Sequence, residues 1–323
     1  MSSDSFVNKV NSLASSKTPF FFLIDFEKKE PQIFSSEEAF EQQILFNVGG
    51  YSNYVQPSVS KNSYRITPKS SSVDRYSLAF KRVQEHLKRG DSYLVNLTFP
   101  TEVVFDGNLK DLFYSSKSPY KLFFKDQFVS YSPECFVKIV SGKIYSYPMK
   151  GTISCSVINA EETILGNPKE IAEHATIVDL IRNDLSSYAK QVRVNRFRYV
   201  DQITSNDSNL LQVSSEIEGT LNENWQGNLG NLIWDMLPAG SISGAPKPKT
   251  VEIIRSVEAD SRGYYTGVYG YFDGQNLDSA VAIRFLEKQE NNFFYRSGGG
   301  VTSQSSCKEE YQELLDKIYV PTL

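Results

Sequence analysis

The chain has 323 residues, 40% of them apolar and 13% aromatic, with a formal net charge of −4. This composition can fill a sizeable core in one large domain or two ordinary ones, and it excludes a disordered chain. With no Lys/Arg-rich run nucleic-acid binding is disfavoured; three scattered cysteines and two histidines lack zinc-ligand spacing; the polar N-terminus shows no signal peptide or membrane span, so a soluble cytoplasmic protein is expected.

In chain order, residues 20–26 are an apolar run that predicts a buried strand. Residues 48–72, rich in Ser, Asn, Gly, Tyr and Pro, predict a long irregular connection. Apolar side chains then recur at 73, 76, 80, 83 and 87, a helical spacing over 73–89 that Gly90 closes as a cap. Strands are predicted at 93–104, at 120–131, at 136–140 and at 143–147, the last two joined by the hairpin signal Ser141-Gly142. An amphipathic helix is predicted at 168–187 and a strand at 192–200. Helices follow at 225–236 and, after a Gly/Pro-rich loop, at 247–257. Strands return at 267–272, 277–286 and 292–296, and a final helix runs from about 307 to 319. No repeat and no clean linker divides the chain, which favours one α/β unit.

The string Tyr147-Pro148-Met149-Lys150-Gly151-Thr152 sets a lysine between an extended aromatic strand and a Gly-Thr turn, at a sheet edge. Lys150 is either a solvated lysine before a turn or, if desolvated, an uncharged nucleophile. Two predicted helices each carry glutamates three residues apart, Glu170 with Glu173 and Glu310 with Glu313. Spacing of i, i+3 puts each pair on one face, and two such faces together would suit Mg²⁺. The alternative is local: Asn167-Pro168-Lys169-Glu170 reads as a capping box, and Ser306 with Glu309 could do the same.

Glu134, after the bend at Ser132-Pro133, is a turn residue or a positioned general acid. Arg284, flanked by Ile283 and Phe285 on a predicted core strand, needs an ion-pair partner or a ligand carboxylate. Gly298-Gly299-Gly300 and the loop Gly240-Ser241-Ile242-Ser243-Gly244-Ala245-Pro246-Lys247 can each offer backbone donors to an anion, although the loop lacks the spacing of a nucleotide P-loop.

Taken in order, these segments resemble the chorismate-utilising enzymes. The matching strings are Ser132-Pro133-Glu134, Pro148 to Thr152, Glu170-Ile171-Ala172-Glu173-His174, Val178 to Asp184, the Gly240 to Lys247 loop, Ala282-Ile283-Arg284, the Gly298 triplet and Glu310-Tyr311-Gln312-Glu313. The resemblance implies an α+β fold, a single large domain of two packed, mainly antiparallel sheets flanked by helices. It implies a reduced N-terminal segment over 1–72, whose strands pack on the core, and a chorismate-binding catalytic region over 73–323.

Lysine before the Gly-Thr resembles the branch that aminates chorismate, aminodeoxychorismate synthase component I; the anthranilate branch has alanine there. The implied chemistry places Mg²⁺ on Glu173 and Glu313, with Glu170 and Glu310 one water further out. Glu134 would protonate the departing C4 hydroxyl, Lys150 would add at C2, and ammonia would displace it by attack at C4. Gly151, Thr152 and Ser241 would line the substrate, while Tyr265, Arg284 and the backbone of Gly298, Gly299 and Gly300 would grip the enolpyruvyl carboxylate. Lys317 would offset the surrounding negative charge. Ammonia would come from a glutamine amidotransferase subunit. The rivals are an anthranilate or isochorismate/salicylate synthase and, from another class, a non-catalytic chorismate-binding subunit. Departures from the family pattern are Gln212 for a usual histidine, Leu94 for a usual glutamine, and Ile153-Ser154-Cys155 where an arginine is common. No tryptophan-binding segment is evident before residue 73.

Overall fold

The computed structural model describes residues 1–57, 64–69, 73–204 and 209–320. Two sheets form its centre, and every recorded strand pairing is antiparallel. The first runs β11 (Met149–Ser154), β13 (Asn209–Leu221), β10 (Lys143–Ser146), β9 (Cys135–Val140), β16 (Leu277–Val281), β15 (Val268–Phe272), β1 (Phe20–Ile24), β2 (Gln32–Phe34), with β12 (Ala189–Thr204) also pairing β13. The second runs β14 (Gly244–Ala245), β6 (Leu94–Phe105), β18 (Asn292–Val301), β17 (Phe285–Gln289), β8 (Phe128–Ser132), β7 (Tyr120–Phe124), β3 (Ile44–Val48), β4 (Tyr51–Ser52), with β5 (Ile66–Pro68) on β6. The helices are α1 (Ser3–Ser15), α2 (Ser36–Glu41), α3 (Val73–Arg89), α4 (Leu109–Ser115), α5 (Ala160–Gly166), α6 (Pro168–Ser186), α7 (Leu229–Asp235), α8 (Lys247–Val257) and α9 (Cys307–Asp316).

Strand β1 shows why its sequence is an unbroken apolar run rather than an alternation. Phe20, Phe22 and Ile24 face a core shared with the helices, where Phe6 of α1 and Val83 of α3 also sit. Phe21 and Leu23 face the interior between the sheets, and Phe21 stacks on Phe46 of β3 at 4.3 Å. Both faces are buried, so no polar position is tolerated. A third cluster, with Leu112 and Phe113 of α4, covers the outer side of the second sheet against Tyr131, Leu286 and Tyr295.

The predicted strand 277–286 is two strands in two sheets. After β16 the chain leaves the first sheet at residues 282–284 and enters the second as β17. Arg284 therefore sits in a crossover, with φ +50°, and not inside a strand. The passage from β8 to β9 through Pro133-Glu134 crosses the other way. The two crossovers lie side by side: Val281 N–H donates to Glu134 O at 3.2 Å, and Tyr131 N–H donates to Arg284 O at 3.1 Å.

Helices α3 and α6 match the expected ranges to within a residue, while the final helix is shorter and 225–236 begins as a 3-10 turn, Trp225–Asn228. Asn167 caps α6 by accepting from Glu170 N–H at 3.3 Å, whereas Ser306 makes no side-chain cap on α9. The 48–72 stretch contains β4 and β5; its residues 58–63 and 70–72 lie outside the described residues. Among the described residues no helix is long and apolar enough to cross a membrane.

Candidate active site

Lys150 and Gly151 do not form a turn. They occupy a bulge in β11, where the register against β13 shifts between Met149 and Thr152, and Gly151 has φ +83°. An extra residue re-aims the side chain beside it. A Cβ on Gly151 would meet Glu170 Oε2 and Ile164 only at ordinary contact distance, 3.4 Å, so it is the positive φ of the bulge that favours glycine.

The re-aimed lysine reaches a cavity of about 130 Å³ between the two sheets, lined by Lys150, Glu134, Ser241, Tyr265, Arg284, the Gly298 to Gly300 run and Lys317. Nine of the residues singled out from the sequence thus surround one space. Gly151 lies behind it, and Thr152 is exposed, paired with Gln212 across the ladder, and lines no part of it. A more open cavity of about 500 Å³ lies elsewhere, between Phe26 and Arg262. Its acids (Glu27, Glu258, Asp260) balance its bases (Lys29, Arg255, Arg262), and it contains none of the anticipated residues.

The glutamates come from two directions. Glu173 of α6 is 3% exposed and pairs with Lys150, Oε2 to Nζ 2.7 Å. Glu313 of α9 pairs with Lys317, Oε1 to Nζ 2.7 Å, and Lys317 also donates to Gly298 O at 2.7 Å. The glycine run explains how these heads gather. A Cβ on Gly299 would lie 3.4 Å from Glu310 Oε2, 3.5 Å from Glu313 Oε1 and 3.7 Å from Lys317 Nζ. One on Gly300 would lie 3.1 Å from Lys150 Nζ and 3.3 Å from Glu173 Oε2. Side chains on the strand would fill the space that these groups occupy. Among the described residues no three carboxylate, histidine or cysteine groups are close enough to share one metal ion. The donor set, four carboxylates from two helices, is nevertheless of the all-oxygen kind that hard divalent cations take. In this arrangement two lysine amines neutralise part of it.

Electrostatics separate the two key groups. Burial pushes the Glu134 carboxyl above its ordinary value, against the opposing pull of the Ser241 hydroxyl, which donates to Oε1, and of Arg284, Lys150 and Lys317. A carboxyl so placed keeps its proton longer than a free one. For Lys150 burial pulls the amine down, but Glu173, with Glu170 and Glu313 behind it, outweighs that, and the pKa is raised. Of the two readings left open from the sequence, a solvated lysine or a discharged nucleophile, the carboxylate 2.7 Å away draws the buried amine toward its charged form. Lys317 moves the other way, lowered by burial despite Glu313, with Lys150 adding to the effect. Burial pushes the Tyr265 hydroxyl up to about 12, so it is a donor at neutral pH.

Four polar cavity residues were not anticipated. Asn96, Thr266 and Ser297 present short polar groups, and Arg296 precedes Gly298 by two positions. Period-two alternation along β18 would have found Arg296, because it shares a strand face with Gly298 and Gly300.

The chain is 48% identical over 317 residues to an uncharacterized PabA-like protein of Haemophilus influenzae, covering 98% of this chain and 96% of that one. It is 31% identical to anthranilate synthase component 1 of Aquifex aeolicus, over 73% of this chain and 50% of that one. It is also 31% identical to aminodeoxychorismate synthase component 1 of Klebsiella aerogenes, over 76% of this chain and 57% of that one. The chain thus spans about half the length of these two relatives. The menaquinone-specific isochorismate synthase of Escherichia coli shares the fold, with a TM-score of 0.72 at 14% identity over 97% of this chain and 80% of that one. A family model described as chorismate binding enzyme matches residues 12–322, so that the crossovers, the bulged edge strand and both glutamate helices all fall inside it, and the chain belongs to that family.

Proposed function

We propose that the protein aminates chorismate to 4-amino-4-deoxychorismate, as an aminodeoxychorismate synthase component I. Equal identity to two branches does not choose between them. The observation that carries the choice is Lys150, an amine aimed by a bulge into the same cavity as Glu134, whose buried carboxyl is pushed above its ordinary pKa.

Chorismate is a dianion, and the cavity supplies Arg284, Lys317 and Lys150 as cations. Glu134 gives its proton to the C4 hydroxyl, which leaves as water. Lys150, as the free amine with its proton released to water, bonds through Nζ to C2, and both ring double bonds shift toward C4 as the C4–O bond breaks. Ammonia then bonds at C4, the C2–Nζ bond breaks, and the electron pair returns to Lys150. Glu134, now a carboxylate, takes the proton released from the new C4 amine, so the acid is restored within each turnover. Mg²⁺ held by Glu173 and Glu313, with Glu170 and Glu310 behind them, would supply fixed positive charge for the ring carboxylate. Ammonia would come from a glutamine amidotransferase subunit.

Mass spectrometry of products from the purified chain with chorismate, Mg²⁺ and ammonium tests this. 4-Amino-4-deoxychorismate without pyruvate is expected; anthranilate, isochorismate or salicylate would assign another branch, and no turnover with amidotransferase added would favour a binding subunit. Lys150→Ala should abolish or divert turnover and leave chorismate binding; undiminished amination would sink the covalent route.

A further inference from the structure

Four cations line the cavity, and three of them carry a carboxylate partner. Lys150 pairs with Glu173 at 2.7 Å, Lys317 with Glu313 at 2.7 Å, and Arg296 with Glu287 at 2.8 Å. Arg284 is the exception. Among the described residues its guanidinium pairs with no carboxylate; its Nε donates to the Tyr319 hydroxyl at 3.2 Å, and its central carbon lies 5.1 Å from the centre of the Tyr319 ring. A phenol can hold a guanidinium in this way without neutralising it.

Tyr319 is itself fixed. It belongs to the short segment after α9, in which Lys317 N–H donates to Glu313 O at 3.2 Å, Ile318 N–H to Leu315 O at 3.0 Å and Tyr319 N–H to Lys317 O at 3.1 Å. The Tyr319 carbonyl accepts from the buried Tyr295 hydroxyl at 2.9 Å, and Ile318 and Val320 on either side pack against the third apolar cluster. The tyrosine is thus carried on an anchored backbone, two residues after the lysine that also lines the cavity.

We infer that Tyr319 is the positioning residue for Arg284. With Nε occupied, the end of the fork, Nη1 and Nη2, is the edge left for a carboxylate in the cavity, and the charge of the guanidinium is kept for it. The inference rests on chorismate occupying this cavity, and it adds to that site the residue that aims its one cation without a carboxylate partner among the described residues. Fixing the guanidinium before the substrate arrives lowers the side-chain entropy lost on binding.

Two measurements test it. Heteronuclear NMR of the arginine Nε–H groups needs no substrate. The resonance lost in Arg284→Lys belongs to Arg284, and in Tyr319→Phe it should shift and exchange faster with water. Titration calorimetry with chorismate reads the consequence. Tyr319 is 44% exposed, so water competes for the bond, and Tyr319→Phe should weaken chorismate by about three- to tenfold. In an Arg284→Lys background, whose amine lacks the Nε edge, the same change should cost less than about twofold. An Nε–H signal that Tyr319→Phe leaves unchanged, an unaltered chorismate affinity, or an equal loss in both backgrounds would overturn the assignment; the last is what a merely structural tyrosine gives. If the unaltered protein binds no chorismate, the proposed function fails, while the NMR comparison still decides whether Tyr319 holds Arg284.

Discussion

In the proposed reaction Glu134 acts through its protonation state. Burial holds its pKa above the ordinary value while three cations oppose the shift. The folded protein therefore binds this proton more tightly than the unfolded chain does. The stability it contributes is present at pH below the unfolded value and declines as pH rises through the folded one. Activity that needs the acid form should likewise be retained at lower pH and fall as pH rises past the raised pKa. Glu134→Gln should lower kcat by about 10²–10⁴-fold and remove that limb from the pH profile of kcat/KM; a limb that persists in the variant would assign it to another group. Glu134 and Lys150 were legible because each stands beside a backbone breaker, Pro133 or Gly151, that announces a special position. The charge state of Lys150 was not legible. It depends on Glu173, which is 23 residues away in sequence and 2.7 Å away in space.

Strands buried on both faces were readable as apolar runs, and β1 and β15 are such strands. In β15, Gly270 lies between β1 and β16, where a Cβ would meet the Phe22 ring at 2.6 Å and Ser279 Cβ at 2.7 Å. Gly270→Ala should lower stability by about 1–3 kcal/mol in urea unfolding through overpacking, and a neutral result would mean that β1 can yield there. Other elements hid. In the run 277–286, Ala282, Ile283 and Phe285 stay apolar because the interior between the sheets is apolar on both sides of the passage, and Arg284 alone interrupts it, which reads equally as a charged residue on one core strand. The strand β13 was missed because Gln212, Ser214, Ser215, Glu216 and Glu218 give it a polar appearance. Its partners on both sides, β12 and the β10/β11 pair, supply the ladder that such a sequence does not advertise.

At the scale of the whole molecule, one buried arginine joins the parts that frame the site. Arg262, 2% exposed, donates to both Glu258 oxygens, to Ile242 O at 2.9 Å and to Asn96 O at 2.7 Å. Asn96 and Ile242 belong to different walls of the cavity, β6 and the Gly240–Ile242 turn. Arg262→Met would leave Glu258 buried without its cation, a change expected to cost about 3–5 kcal/mol. Thermal unfolding at neutral pH checks it, and a loss below about 1 kcal/mol would show that water replaces the pair. The paired crossovers have a consequence of another kind. Glu134 and Arg284 ride on adjoining passages bonded to each other's neighbours, so neither can be relocated without dragging the other and the seam between the sheets. Lys150 hangs from a strand at the end of a sheet, tied to one neighbour only. In the proposed reaction the architecture therefore divides into a fixed half that would recognise and protonate, and a replaceable margin that would set which nucleophile meets the ring. Changes of reaction should accumulate along that margin, and the seam should resist them.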